Sequence, residues 1–358
     1  MGGGLQNGLV ALAVRARQPA ARIVMIDRGP RPGGNHTWCF HAADVGAEMD
    51  WIDPIVATRW DGYDVAFPDL RRRVDSPYAC VTSERLADHV LSAVDQYVCA
   101  TATEVGANRV IADDEFVGAA VIDARGPEHG TPTACGWQKF LGQELRLAAP
   151  HGLERPMLMD ATLPQTDGFR FMYVLPLAPD RVLVEDTYFS DTAYLDAAAL
   201  RVEIEAYARR WDVVGVDREE TGVLPLPWKT QAAAATAPLV GGYAGGWFHP
   251  VTGYSFPIAA RFAARIASVP AAQLYEGALD ELVETHNSQL GFALRLNKML
   301  FHWFRPEHRF HVLQRFYRLP EAVIRRFYAL ELTALDRARI IIGRPPRGLS
   351  LRAALEAR

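Results

Sequence analysis

Two adjacent carboxylates, Glu185 and Asp186, end the apolar run Val182–Val184 and precede Thr187, Tyr188 and Phe189. A strand alternates its faces, so Leu183, Glu185, Thr187 and Phe189 share one side while Val182, Val184, Asp186 and Tyr188 share the other. A carboxyl aimed into apolar surroundings keeps its proton above the usual range and suits general acid chemistry; the bland alternative is a solvated strand edge. A second constellation stands at the start, where Gly2, Gly3 and Gly4 lead into Leu5–Arg17, with Leu9, Leu12 and Ala16 at helical spacing and Pro19 as a stop. The strand "RIVMIDRG" then ends on Asp27, about 20 residues past the glycines, as in a dinucleotide site. Glycines admit a close backbone approach, a helix N-terminus favours a pyrophosphate, and a carboxylate accepts a ribose hydroxyl, which makes Gly2, Gly4 and Asp27 candidates. Asn7 stands where a third glycine is usual, with Gly8 next, so the helix is expected to sit differently against its strand. Only Met1 precedes the glycines where a strand is expected, which predicts a start further upstream.

These groups need positioning. "RFMYVLPL" and "RVLVEDTYF", separated by "APD", read as an antiparallel hairpin with proline in its turn. "ANRVIADDEFVGAAVIDARG" reads as strand, turn and strand ending at Gly126, and Leu195–Trp211 has helical spacing. A second glycine block, "GGYAGGWFHPVTGYSFP", precedes a helix from about Pro257 to Ser268, and the chain is mostly helical after Arg261. At 358 residues, 49% hydrophobic and 22% charged, the composition is that of a globular chain with room for a large enclosed site. A net charge of -4 argues against nucleic acid as a partner. Cys39, Cys80, Cys99 and Cys135 have neither disulfide nor zinc spacing, so no metal site is expected and a reducing cytoplasm fits. Neither a secretion signal nor a spanning segment is expected.

The segment "GPRPGGNHTWCFH" (Gly33, Gly34, Asn35, His36, Thr37, Trp38, Phe40, His41) resembles the signature after the second strand in bacterial lycopene cyclases of the flavoprotein type. The blocks "VIDARG", "GWQKFLGQE", "HGLERPMLMDAT", "GVLPLP" and "FHPVTGYSFP" follow in the same order, as does "VLQRFYRLPEAVIRRFYALELTALDRARIIIGRPP", so the likeness runs from Gly2 to about residue 350. The resemblance implies an α/β (α+β) fold of the geranylgeranyl-reductase and hydroxylase flavoprotein type. A Rossmann-like FAD-binding domain is expected from residues 1–75, 80–135 and 225–270, a sheet-rich substrate domain from 136–224, and a helical C-terminal region from 271–358. It also implies reduced FAD, with NAD(P)H as electron donor, held by Gly2, Gly4, Asn7, Asp27, Asn35, Gly126, Pro250, Thr252 and Gly253. Lycopene cyclisation protonates C1=C2, lets C5=C6 attack the cation and releases the C6 proton, without net redox change. The family's acid/base carboxylate matches Glu185, with Asp186 behind the sheet orienting a loop or Arg170. His249, Asn35 and His36 are weaker candidates for polar roles near the flavin. Phe40, Trp38, Phe171, Tyr173 and Trp247 could line a carotenoid channel and face the cation.

An insoluble hydrocarbon must come from a bilayer. Between Arg295 and Arg339 ten Lys/Arg meet four Asp/Glu, interleaved with Met299, Leu300, Phe301, Trp303, Phe304, Phe310, Phe316 and Tyr317. That pattern suits a peripheral membrane surface, or a basic-faced helix packing its aromatics inward. The expected partners are thus lycopene, a membrane surface and other carotenoid-pathway enzymes. Two other readings stand beside that of a cyclase: within the same fold, a flavin monooxygenase or reductase on a polyene or isoprenoid, which would consume NAD(P)H at each turnover, and, as a different class, a flavin-containing carotenoid carrier without chemistry.

Overall fold

The computed structural model describes residues 1–126, 134–229 and 232–350. Helix α1, Leu5–Arg17, starts at an extended Gly4 with no side-chain cap and buries Leu5, Leu9, Val10 and Ala13. Arg15 and Arg17 occupy its last turn, where the helix dipole favours cations. There follow β1 (Val24–Asp27), β2 (Thr37–His41), short helices α2 (Ala42–Val45) and α3 (Met49–Ile52), β3 (Thr58–Trp60), β4 (Tyr63–Phe67), β5 (Leu70–Val74) and β6 (Tyr78–Thr82). Helix α4, Ser83–Ala93, is capped by the Thr82 hydroxyl, which accepts from the Arg85 amide. The chain continues through β7 (Gln96–Cys99), β8 (Glu104–Val105), β9 (Arg109–Ala112), β10 (Asp114–Val117), β11 (Ile122–Asp123), β12 (Cys135–Leu147), β13 (Met157–Asp160), β14 (Phe169–Ala178) and β15 (Arg181–Ser190). Then come α5 (Ala197–Ala208), β16 (Val213–Pro227), β17 (Leu239–Val240), α6 (Phe256–Ala267), α7 (Asp280–Trp303), α8 (Phe310–Phe316), α9 (Glu321–Tyr328) and α10 (Ala334–Ile341).

Two parallel pairs, β1 with β7 and β11 with β17, flank the glycine turn. Met1 and Gly2 stand between them: the Gly2 amide donates to Ile26 O at 2.8 Å and the Ala124 amide to Met1 O at 2.9 Å. Those two residues thus supply backbone pairing where the sequence reading expects a whole strand. Helices α1 and α6 pack together beside these strands.

The largest sheet has seven strands in the order β16-β12-β15-β14-β13-β4-β5, antiparallel except for β13 with β4. The sequence reading groups residues 1–75 with the nucleotide unit, but the β4–β5 hairpin extends this sheet instead. Tyr63, Val65 and Phe67 bury their side chains there, while Arg71 and Arg73 on β5 point to solvent, as suits an edge strand. The sheet separates two apolar layers. Val182, Val184 and Tyr188 of β15 meet Leu200, Ile204 and Tyr207 of α5 on one side. Leu183 and Phe189 join the main core on the other, with Phe169, Phe171, Phe256 and the C-terminal helices.

Among the described residues no helix is long and apolar enough to cross a membrane. The expected basic and aromatic segment turns its rings inward: Phe301, Phe304, Phe316 and Tyr317 are buried, because they fill the space between α7, α8 and the sheet. The exposed apolar residues of this region lie on and just after α10: Leu335, Ile341 and Ile342.

Candidate functional site

Glu185 projects from the middle of β15 into a cavity of about 410 Å³, among Phe171, Tyr173, Phe140 and Phe189. It is 8% exposed. Thr187, two residues on and therefore on the same face, donates its hydroxyl to Glu185 Oε1 at 2.5 Å. Burial pushes the carboxyl's pKa up to about 8, and the negative charge of Glu220 adds to the rise. Near neutral pH this group is therefore a neutral carboxylic acid held in aromatic surroundings, with a proton available to give. Tyr173 lies opposite Glu185 on β14 and shares a 3.1 Å hydroxyl contact with Tyr78.

Asp186 points to the other side and is fully buried. Arg170 grips it with two bonds, Nε to Oδ1 at 2.9 Å and Nη2 to Oδ2 at 2.8 Å, and reaches Glu203 of α5 at 2.9 Å. Tyr188 donates to the same carboxylate at 3.1 Å. Burial works against both charges while each partner holds the other ionised, and the two-pronged geometry favours the charged pair. Of the two acids, then, only Glu185 reaches the cavity.

Gly2, Gly4, Asn7, Asp27 and Gly126 gather around the N-terminus of α1, away from the residues lining that cavity. Gly2 has φ +83°, and a Cβ there would lie 2.4 Å from Ala124 O, so glycine is required. Gly4 and Gly126 face open space. Asp27 accepts from the Gly3 amide at 2.7 Å and from the Gly29 amide at 2.7 Å, which fixes the loop after β1 against the turn. Asn7 donates to Met1 O at 2.6 Å and Gly2 O at 3.0 Å. The residue in the third-glycine position therefore clamps the turn, while Gly8 makes the close approach to α4 through Val90 and Leu86. The buried Gln6 Nε2 and Asn7 Oδ1 have no partner. An uncapped helix start, open glycine backbone, a nearby carboxylate and orphaned polar atoms fit the pyrophosphate and ribose of a dinucleotide.

The second glycine block divides. Thr252 and Gly253 line the cavity, Gly253 with φ +67°. Pro250 does not: it is buried behind, its carbonyl accepting from Asn297 Nδ2 at 2.5 Å. His249 is also withdrawn from the cavity. Its Nε2 meets Phe327 O at 2.9 Å and its Nδ1 accepts from the Val251 amide, and burial lowers its pKa to about 3. It is a neutral pin between this loop and α9. Asn35 and His36 line the cavity rim, Asn35 donating to Glu219 O at 2.9 Å and accepting from Arg218 at 3.0 Å. Trp38, Phe171 and Tyr173 line the cavity as expected, but Phe40 stacks on Phe256 and Trp247 packs against Phe262 and His286, because both rings are drawn into the core around α6.

The sequence reading passed over two neighbours. His41 sits at the cavity among Tyr63, Tyr78, Tyr254 and Tyr328, with Nδ1 3.4 Å from Asp44. Glu220, 2% exposed, stands near Glu185 across the sheet. The sequence carries no local signal for Glu220: in Glu219-Glu220-Thr221 the threonine shares a strand face with Glu219, not with Glu220.

A second cavity of about 230 Å³ lies beyond the first, walled by Leu296, Leu300, Val312, Phe316 and Ile340 of the C-terminal helices. Met159, Phe189, Thr252 and Tyr328 line both, so the two meet across a shared wall.

Residues 1–354 match the family described as lycopene cyclase protein. A lycopene beta-cyclase from Pseudescherichia vulneris is 44% identical over 374 residues, covering 99% of this chain and 96% of that one. Another, from Pantoea ananas, is 42% identical, covering 100% and 96%. Among solved structures, a geranylgeranyl bacteriochlorophyll reductase-like protein from Thermoplasma acidophilum is similar with a TM-score of 0.59 and 13% identity, covering 99% of this chain and 94% of that one. A flavin-dependent brominase gives 0.60 and 14%, covering 99% and 96%. The fold is thus mixed α/β and Rossmann-like, of the flavoprotein type.

Proposed function

The chain belongs to the lycopene cyclase protein family, and from that premise we propose that it is a lycopene beta-cyclase, closing the acyclic ends of lycopene into β-ionone rings by way of γ-carotene to β-carotene. The observation that carries the mechanism is Glu185, a buried carboxyl with a pKa of about 8 facing an aromatic cavity. Thr187 donates to Oε1, which leaves Oε2 to hold the proton. Glu185 passes that proton to C2 of the terminal C1=C2 bond, the C5=C6 electrons close the ring onto C1, and C6 gives up its proton to the carboxylate. The protein ends as it began, and nothing is oxidised.

Phe171, Phe189, Phe140 and Tyr173, which line the cavity, would stabilise the intervening cation through their π faces, and their bulk would keep water from trapping it as an alcohol. FAD would be held by Gly2, Gly4, Asn7, Asp27 and Gly126 at the α1 end and by Thr252 and Gly253 at the cavity, with Asn35 at the rim. In reduced form, with NAD(P)H as the electron donor, the flavin would supply an electron-rich surface to stabilise the cation. We divide the chain accordingly into a discontinuous flavin unit, a sheet-rich unit that includes β4 and β5, and a helical C-terminal unit.

Exposed Leu335, Ile341 and Ile342, beside Arg339, Arg344 and Arg347, support a peripheral site on the cytoplasmic face of an anionic membrane. Flotation with anionic vesicles should be lost when Ile341 and Ile342 become serine; unchanged flotation would reject this surface. The mechanism is tested by expressing Glu185→Gln in a lycopene-accumulating bacterium. Chromatography should show lycopene alone while the purified variant keeps its flavin, and β-carotene formed by the variant would remove Glu185 from the role.

A further inference from the structure

One row of residues crosses the four strands at the β16 side of the large sheet. Tyr173 on β14 is paired with Glu185 on β15, Glu185 with Gly142 on β12, and Gly142 with Glu220 on β16. Directly paired residues in antiparallel strands present their side chains to the same face. Gly142 has none to present. A Cβ at that position would lie 3.4 Å from Glu185 Cβ and 3.4 Å from Glu220 Cγ. The only residue between the two acids is thus the one type that leaves no atoms between them.

Glu220 is held firmly. Its Oε2 accepts from Arg218 Nη1 at 2.6 Å and from Thr37 at 3.4 Å, with His36 Nδ1 3.9 Å away. Arg218 is fixed in turn by Thr37 at 2.5 Å and Asn35 at 3.0 Å. The other oxygen, Oε1, is buried with no partner. An unpaired carboxylate oxygen in a low-dielectric layer is costly unless its field is used.

We propose that Glu220 is a positioning residue for the Glu185 acid: an Arg218-anchored carboxylate set across Gly142 so that Glu185 retains its proton until the alkene takes it. The inference rests on the role given to Glu185 above and extends it. With only Gly142 between them, the charge on Glu220 acts on Glu185 through a buried layer and favours its neutral form. When Glu185 has given its proton to carbon, the same repulsion makes its carboxylate a stronger base for the C6 proton. Glu220 makes the first half-step harder and the second easier, and ensures that the acid is loaded at neutral pH. The other groups facing Glu185 are Thr187 on its own strand, Tyr173 on β14, Arg218 on β16, and His36 and Thr37 at β2. Asp186, paired with Arg170, acts from behind the sheet. Of these Arg218 and Thr187 oppose the rise, and Glu220 is the largest source of it after burial itself.

The test is an infrared titration of the purified flavoprotein, following the protonated-carboxyl band that disappears in Glu185→Gln. In Glu220→Gln the midpoint of that band should fall by roughly one pH unit or more, and the alkaline limb of cyclisation should fall with it. Glu220→Asp, which keeps the charge, should stay near the wild-type midpoint. Arg218→Gln should move the midpoint the opposite way, and decides the matter if Glu220→Gln does not fold. A purely structural role would lower activity at every pH and leave the midpoint in place, which would overturn the proposal. If the wild-type protein forms no β-ring, the functional reading falls instead; if it cyclises and the midpoint stays fixed, only this inference does.

Discussion

Glu185 enters the folded protein at the expense of its hydration, and the consequence can be read as stability. Its folded pKa of about 8 lies above the usual 4.5, so between those values the folded state binds a proton that the unfolded chain has released. Stability from this group is complete below the lower value and is lost as pH rises through the upper one. Glu185→Gln carries no such titration. Denaturant midpoints should therefore show wild type and variant diverging as pH rises from 5 to 8.5, the wild type losing on the order of 4 kcal/mol more across that window. Parallel curves would mean that the carboxyl is not protonated in the cavity. That Glu185 and Asp186 take opposite faces of β15 was legible in the sequence because strand alternation is a local rule, whereas which face meets a cavity was not. Glu220 was not, because its approach to Glu185 depends on β16 pairing with β12 across Gly142, which no neighbouring residue specifies.

At the level of elements, the sheet is fastened to α5 by Asp186, Arg170 and Glu203. The Asp186–Arg170 pair is closed off from water, whereas Glu203 is half exposed. Removing Asp186 leaves the buried Arg170 with only the half-exposed Glu203 carboxylate to answer its charge, so Asp186→Ala should cost about 3 kcal/mol. Glu203→Ala, with water to replace it, should cost about 1 kcal/mol or less. Urea unfolding of both variants checks the ratio; equal losses would show that the buried pair is not what fastens the helix. The β14–β15 hairpin that carries Arg170 and Asp186 could be foreseen from "APD" between two β-rich runs. The β4–β5 hairpin was misassigned because its partner β13 lies some 90 positions later in the chain, and edge pairing at that separation leaves no local pattern. Likewise, the alternation of cations and rings from Arg295 to Arg339 fits either an outward or an inward aromatic face. The choice was made by the space beneath α7 and α8, which only the assembled core defines.

On the scale of the whole molecule, the reaction needs more room than the Glu185 cavity gives. A C40 polyene placed with one end at Glu185 must lay its remaining length somewhere, and the flavin proposed above would take the side formed by Thr252 and Gly253. The second cavity answers both constraints: it is apolar, it abuts the first at the wall of Met159, Phe189, Thr252 and Tyr328, and it extends toward α10, where the exposed apolar residues lie. Chain length then becomes the variable that separates the two cavities. Val312, half-buried on α8, lines the second one, and tryptophan at that position would project into its roughly 230 Å³ without touching Glu185 or the glycine turn. Val312→Trp should reduce lycopene turnover by at least about tenfold, while ring closure of a short acyclic terpenoid with the same terminal diene should continue at the wild-type rate. Loss of both activities would point to a damaged fold, which the unchanged flavin content and urea midpoint of an intact variant would reveal. Retention of both would show that the polyene leaves the reaction cavity by another route, and the C-terminal helices would then serve to close the core rather than to house the substrate.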